Sequence, residues 1–154
     1  FILSKGLMIN STNSSVVIEA GTLFDMFEGT SIRIAENANI KFTANGNKSQ
    51  YIVFTCRNKK PGAWRGFFIG KNLLAGSVLK YCQIEYAGGN LDAATANAGA
   101  INCQATDSVF TIENCKISNP NSHGIYFHAG ANAELINNNF ENIPSGLENI
   151  YYAK

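Results

Sequence analysis

Five residues recur where a repeated chain could offer a ligand one continuous strip: Phe68, Asn102, Gln104, Tyr126 and His128. Their chemistry is aromatic face, amide and imidazole, with no carboxylate and no fixed cation among them. Ring stacking combined with amide hydrogen bonds suits neutral sugars. The same positions also serve as plain solvent-facing sites of a sheet. His123 and His128 are the only histidines. Flanking one extended segment, they are expected to face different ways as surface or loop residues, with a general base as the alternative. A zinc centre needs more ligands, and no cysteine falls at the right spacing. No metal and no cofactor is therefore expected, and no catalytic residue is assigned.

The acids give the same answer. Asp92 and Asp107 are isolated, and no Asp-x-Asp or Asp-Asp pair occurs. The best pair is Glu85 and Glu141, at equal places of the repeat described below and two repeats apart. Two steps of a stacked strand give about 9.6 Å, near the upper end for an inverting glycosidase. Lys116 and Ser118 lie between them and favour two ionised carboxylates, so a solvated charge ladder is the better reading. Of the four cysteines, Cys82 and Cys115 occupy equal corners and either form a disulfide across one step or pack as free inward thiols. Cys103 falls in an apolar column, and Cys56 ends a strand with no evident partner.

What positions these residues is a repeat, and the composition prepares for it. Only 15% of the 154 residues are charged and the net charge is +1, so the basic stripe of a nucleic-acid-binding protein is missing. No apolar run is long enough for a transmembrane helix. A hydrophobic fraction of 45% supports a core, while 20 Asn and 14 Gly fit short strands joined by tight corners. The chain starts at Phe1 without a signal pattern and reads as a mature or excised piece.

Three segments superimpose, starting at Gly66, Ala100 and Gly124. Phe67, Ile101 and Ile125 correspond, as do Ile84, Ile117 and Phe140. The step from Ile101 to Ile125 is 24 residues and from Ile117 to Phe140 it is 23. The longer step from Phe67 to Ile101 marks a loop insertion over 87–98, and a fourth copy is expected to begin at Gly146-Leu147. Each copy alternates with period two and breaks at an Asn or Gly corner, without helical periodicity. Such a unit is one coil of a parallel β-solenoid, with equal residues stacked at about 4.8 Å. Tyr81, Asn114 and Asn137 mark a corner that takes left-handed backbone, which Asn tolerates better than other non-Gly residues. Stacked Asn side chains there could bond one another's amides.

Upstream, Ser15–Thr22, Ser31–Ile34, Ile40–Thr43 and Tyr51–Thr55 alternate in the same way, with Asn45-Gly46 as a turn. The expected organisation is a single domain over 1–154. Residues 1–14 form an N-terminal cap over an otherwise unpaired edge, and residues 15–154 form the coils.

The ordered strings Ile18-Glu19-Ala20-Gly21-Thr22, Ile52-Val53-Phe54-Thr55, Pro61-Gly62-Ala63-Trp64-Arg65-Gly66 and Leu79 to Gly89 carry a resemblance. Together they resemble the right-handed parallel β-helix repeat domains of bacterial secreted and surface proteins, which share the pectate-lyase-like fold. The resemblance implies about five or six coils and an extracellular or cell-surface location. It places Ala63-Trp64-Arg65-Gly66 at the start of a coil, where Trp64 packs under the loop or serves as a sugar platform. Polyuronate lyases of this class use an acidic cluster for calcium, and calcium takes six to eight oxygens. No such cluster occurs here. The leading expectation is thus a non-catalytic exported module binding a polysaccharide, a surface glycan or a protein partner. The alternative is a polysaccharide lyase or glycoside hydrolase with part of its site elsewhere. A purely structural stalk is a third reading.

Overall fold

The computed structural model describes residues 1–89 and 98–154. Alternation of inward apolar and outward polar residues makes each short run a strand, and among the described residues seventeen strands form in chain order. They are β1 (Ile2–Leu3), β2 (Leu7–Ile9), β3 (Ser14–Glu19), β4 (Leu23–Met26), β5 (Ser31–Ile34), β6 (Ile40–Asn45), β7 (Ile52–Cys56), β8 (Gly66–Ile69) and β9 (Val78–Lys80). Then follow β10 (Cys82–Glu85), β11 (Gly99–Cys103), β12 (Phe110–Glu113), β13 (Lys116–Ser118), β14 (His123–Phe127), β15 (Ala133–Ile136), β16 (Asn139–Glu141) and β17 (Ile150–Tyr152). There is no helix among the described residues, so none is long and apolar enough to cross a membrane.

Every third strand joins the same sheet. Sheet A runs β1-β4-β7-β10-β13-β16, sheet B runs β2-β5-β8-β11-β14-β17, and sheet C runs β3-β6-β9-β12-β15. All the strand pairings are parallel. The chain therefore visits A, B and C in turn and climbs one rung per circuit, an arrangement compatible with a parallel β-helix.

The register confirms the repeat. Ile101 pairs with Phe67 on one side and Ile125 on the other. Ile117 likewise sits between Ile84 and Phe140. These positions form inward columns: Phe24, Phe54, Ile84 and Ile117 on sheet A, and Ile32, Phe67, Ile101 and Ile125 on sheet B, are all buried. Each such side chain contributes about 1.5–3 kcal/mol by leaving water. The columns are joined by rings. Phe54 stacks on Phe24 at 5.0 Å and meets Phe67 edge-on at 4.8 Å.

Corners follow the Asn and Tyr pattern. Tyr81, Asn114 and Asn137 have φ of 48°, 52° and 51° between sheets C and A. A second corner of the same kind leaves sheet A at Tyr86, Asn119 and Asn142, with φ of 59°, 53° and 54°. The Asn-to-Asn amide bond expected at the first corner forms at the second, where Asn142 Nδ2 donates to Asn119 Oδ1 at 2.9 Å. At the first corner, Asn138 does the bridging. Its Oδ1 accepts from the Cys115 N–H and its Nδ2 donates to Ile112 O.

The ends depart from expectation in detail. Residues 1–14 enter the sheets as β1, β2 and the first residue of β3, and Phe1 stacks on Phe24 at 5.5 Å. The last repeat pairs Ile150 with Ile125, so its strand starts after a turn in which Leu147 N–H donates to Pro144 O. Gly146, with φ 82°, belongs to that turn and not to the strand. The insertion expected over 87–98 is described at Ala87–Gly89 and Ala98; the rest lies outside the described residues.

All four cysteines are free and buried. Cys103 stands in the inward column between Ile69 and Phe127, and burial pushes its thiol up to about 11.

Candidate functional site

Parallel register turns the outward positions of sheet B into columns. One runs Met8, Arg33, Phe68, Asn102, Tyr126 and Tyr151. Beside it, past the strand ends, run Ala35, Gly70, Gln104 and His128. The second column holds almost no side chain at Ala35 and Gly70, and that leaves a depression. Gly70 is required there, because a Cβ would stand 2.4 Å from Ala35 O.

The resulting cleft has a volume of about 240 Å³ and is lined by Arg33, Glu36, Phe68, Asn102, Gln104 and His128, with Met8 at one end. Four of the residues singled out from sequence thus meet in one place. Tyr126 adjoins them, its ring edge-on to His128 at 5.0 Å and stacked on Tyr151 at 5.1 Å. Trp64 lies elsewhere. It is fully buried, donates its indole N–H to Glu85 O at 2.7 Å, and meets Phe67 edge-on. It packs under its loop and presents no face to the cleft.

Two charges enter that the strip was expected to lack. Arg33, one rung before Phe68, lays its guanidinium 4.5 Å from the Phe68 ring centroid, and Glu36 lines the same cleft. A cation over a ring is worth about 0.5–1 kcal/mol at an exposed site. Alternation in Ser31–Ile34 already turns Arg33 outward, between the buried Ile32 and Ile34. What the sequence could not supply was the register that sets β5 beside β8.

The polar groups are not equally available. Asn102 is only 4% exposed, and its amide is used by the backbone. Oδ1 accepts from the Gly99 N–H at 2.9 Å, while Nδ2 donates to Gly99 O at 2.8 Å and Phe67 O at 3.3 Å. It shapes the wall of the cleft, whereas Gln104 and His128 can turn to a ligand. Burial pushes His128 below its ordinary value, partly opposed by the Glu36 carboxylate, so its ring is neutral near pH 7. His123 does not face away as expected. Both histidines bracket Tyr126. His123 stacks on Tyr151 at 4.7 Å, and its Nδ1 accepts the Glu148 N–H at 3.0 Å. That acceptor role puts the proton of the neutral ring on Nε2.

The acids on sheet A form the charge ladder. Glu85, Ser118 and Glu141 follow one another in register. Lys116 reaches Glu141 Oε2 at 2.9 Å, which holds that carboxyl below and the ammonium above its ordinary range. Glu85 accepts the Thr55 hydroxyl at 2.9 Å. Asp107 accepts the Thr106 hydroxyl, and Asp92 lies outside the described residues. Among the described residues no three His, Cys, Asp or Glu side chains converge as a metal site would need.

Comparison of the chain with protein-family models, with curated proteins and with solved structures finds no match.

Proposed function

We propose that the chain is a non-catalytic glycan-binding module whose cleft lies on the outer face of sheet B. The observation that carries this reading is the meeting of Phe68, Gln104 and His128 with Arg33 and Glu36 around one depression. A ring to stack on, hydrogen-bonding side chains and a single cation are the ingredients of a saccharide site. A rigid parallel scaffold holds them without induced ordering, which spares affinity. In this reading the solenoid is a right-handed parallel β-helix of the pectate-lyase-like class, with about five or six coils, exported to the cell surface. The support for that class is the ordered strings around Trp64 and Tyr81, together with the three-sheet parallel topology.

The competing reading, a polysaccharide lyase or glycoside hydrolase, draws on Glu36 and His128 lining one cleft. Against it stands the engagement of Glu85 and Glu141 by Thr55 and Lys116. One assay separates the two. A glycan panel is tested for retention and for depolymerisation in parallel, with Phe68→Ala as control. Retention lost in Phe68→Ala, without new chain ends, supports the module; turnover of any polymer by this chain sinks it.

A further inference from the structure

A second concave surface lies on another face, at the corner where β9 passes into β10. Tyr81 turns that corner in left-handed backbone, as Asn114 and Asn137 do on the next two rungs. Asn is the inexpensive residue there, and a bulky aromatic is not. The chain therefore carries a ring at a place where its own repeat prefers an amide. Tyr86 does the same at the other corner, but its side chain is packed against the core. Tyr81 is not packed against the core in this way. Its half-buried ring stands edge-on to Tyr51 at 5.7 Å with the planes at 87°, and Lys80 Nζ lies 5.9 Å from its centroid. Local strain that the core does not repay points to a task at the surface.

The surroundings say what task. The two tyrosines close one end of a trough of about 530 Å³. Gln83, Lys116 and Asn139 line it, pairing in register along β10, β13 and β16, one rung apart at about 4.8 Å. Asn114 forms the side. Asn114 Nδ2 is held by Glu113 and Asn139 Nδ2 by Glu141, which fixes both amides and leaves their carbonyl oxygens as acceptors. Lys116 is already paired with Glu141. What remains is phenol and amide, repeated along the solenoid axis, with Lys48 the one lining charge outside an ion pair among the described residues.

We infer that this trough binds an uncharged, linear, hydroxyl-rich glycan lying along the axis. One sugar ring stacks on the face of Tyr81 with the perpendicular Tyr51 ring at its edge, and successive hydroxyls bond Gln83, Asn114 and Asn139. The site is separate from the cleft on sheet B and does not rest on it.

Cello-, manno- and chito-oligosaccharides are titrated into the isotopically labelled protein, with oligogalacturonate as the charged comparison. Tyr81→Asn installs the repeat's own residue and keeps the corner, so melting temperature is expected to hold or rise. Binding of at least one neutral series is expected to weaken about tenfold or more, the loss typical of an aromatic anchor. Tyr51→Ser gives a second reading with no change to the corner, and a similar loss is expected. Side-chain amide signals of Gln83, Asn114 and Asn139 are expected to shift together. The inference is overturned if no neutral series binds, or if Tyr81→Asn binds as the parent does. Loss in Phe68→Ala with Tyr81→Asn intact also overturns it, by assigning the ligand to the cleft. Preference for oligogalacturonate, abolished by salt, overturns the uncharged class.

Discussion

Cys82 and Cys115 stand at the same place on adjacent rungs, each one residue before the paired Gln83 and Lys116, and both remain thiols. Each sulfur lies against backbone carbonyls, Cys82 Sγ 3.5 Å from Lys80 O and Cys115 Sγ 3.4 Å from Glu113 O. The Cys115 thiol and burial hold Cys82 well above its ordinary range. At Cys82 the unprotonated sulfur that reacts with disulfide reagents is therefore scarce, while the same contact draws Cys115 the other way; what keeps reagents from all four thiols is burial. Native protein is expected to react slowly with an aromatic disulfide, and all four thiols are expected to titrate once guanidinium unfolds it. Only two titrating after unfolding would mean that one disulfide joins two of the four, contrary to the free thiols found here.

Phe54 joins the columns of sheets A and B. It is fully buried, stacked on Phe24 and edge-on to Phe67. Phe54→Ala removes the ring from a site whose neighbours are themselves locked by register. A loss of about 3–5 kcal/mol in urea denaturation is expected. A loss under about 1 kcal/mol would show that the rungs relax into the gap.

Asn119 tests the corner. With φ 53° and a bond from Asn142, it combines a left-handed backbone with an amide contact. Asn119→Val forces a β-branched residue into that backbone and is expected to cost about 1–2 kcal/mol or more. Asn119→Gly keeps the conformation and loses only the amide bond, so it should cost about 1 kcal/mol or less. The order of the two variants is the readout.

Asn102 separates wall from ligand. Asn102→Leu leaves Gly99 with a buried N–H and C=O whose amide partner is gone. A destabilisation of about 2–3 kcal/mol is expected from unmet backbone groups. Gln104→Ala, on the next position outward, is expected to leave the melting temperature within a degree or two while weakening glycan retention.

His128 sets a pH dependence with a definite sign. Its folded value lies below the unfolded one, about 6.5, because burial disfavours the charged ring. The unfolded chain then binds more protons in that window, so stability falls as pH drops below about 6.5 and levels off beneath the folded value. The parent should lose more melting temperature between pH 7 and pH 5 than His128→Gln. Equal slopes would remove His128 as the source.

Much of this was legible because the signals repeat. Ile101 matched Phe67 and Ile125 by place in the repeat before any register was known, and the corner at Tyr81, Asn114 and Asn137 came from the same alignment. The second corner was written just as plainly in Asn119 and Asn142. Tyr86 masks it there, since a ring at that place reads as core, not as turn. Arg33 and Glu36 escaped for a different reason. Their coil lacks the repeat's letters, and β5 finds its place beside β8 only through hydrogen bonds that no local pattern encodes. Trp64 was open between interior and surface because a ring suits both, and only the Glu85 carbonyl at 2.7 Å decides it.

Among the described residues, each strand hydrogen-bonds only with the strands three places before and after it in the chain. Length is therefore a free variable of this architecture. A duplicated circuit, inserted between β13 and β14 with its own corners, would present apolar to apolar and Asn to Asn on both faces, and no other rung would register the change. Such a molecule can grow or shrink by whole turns during its history while keeping one cross-section, and any surface groove that follows the axis lengthens with it.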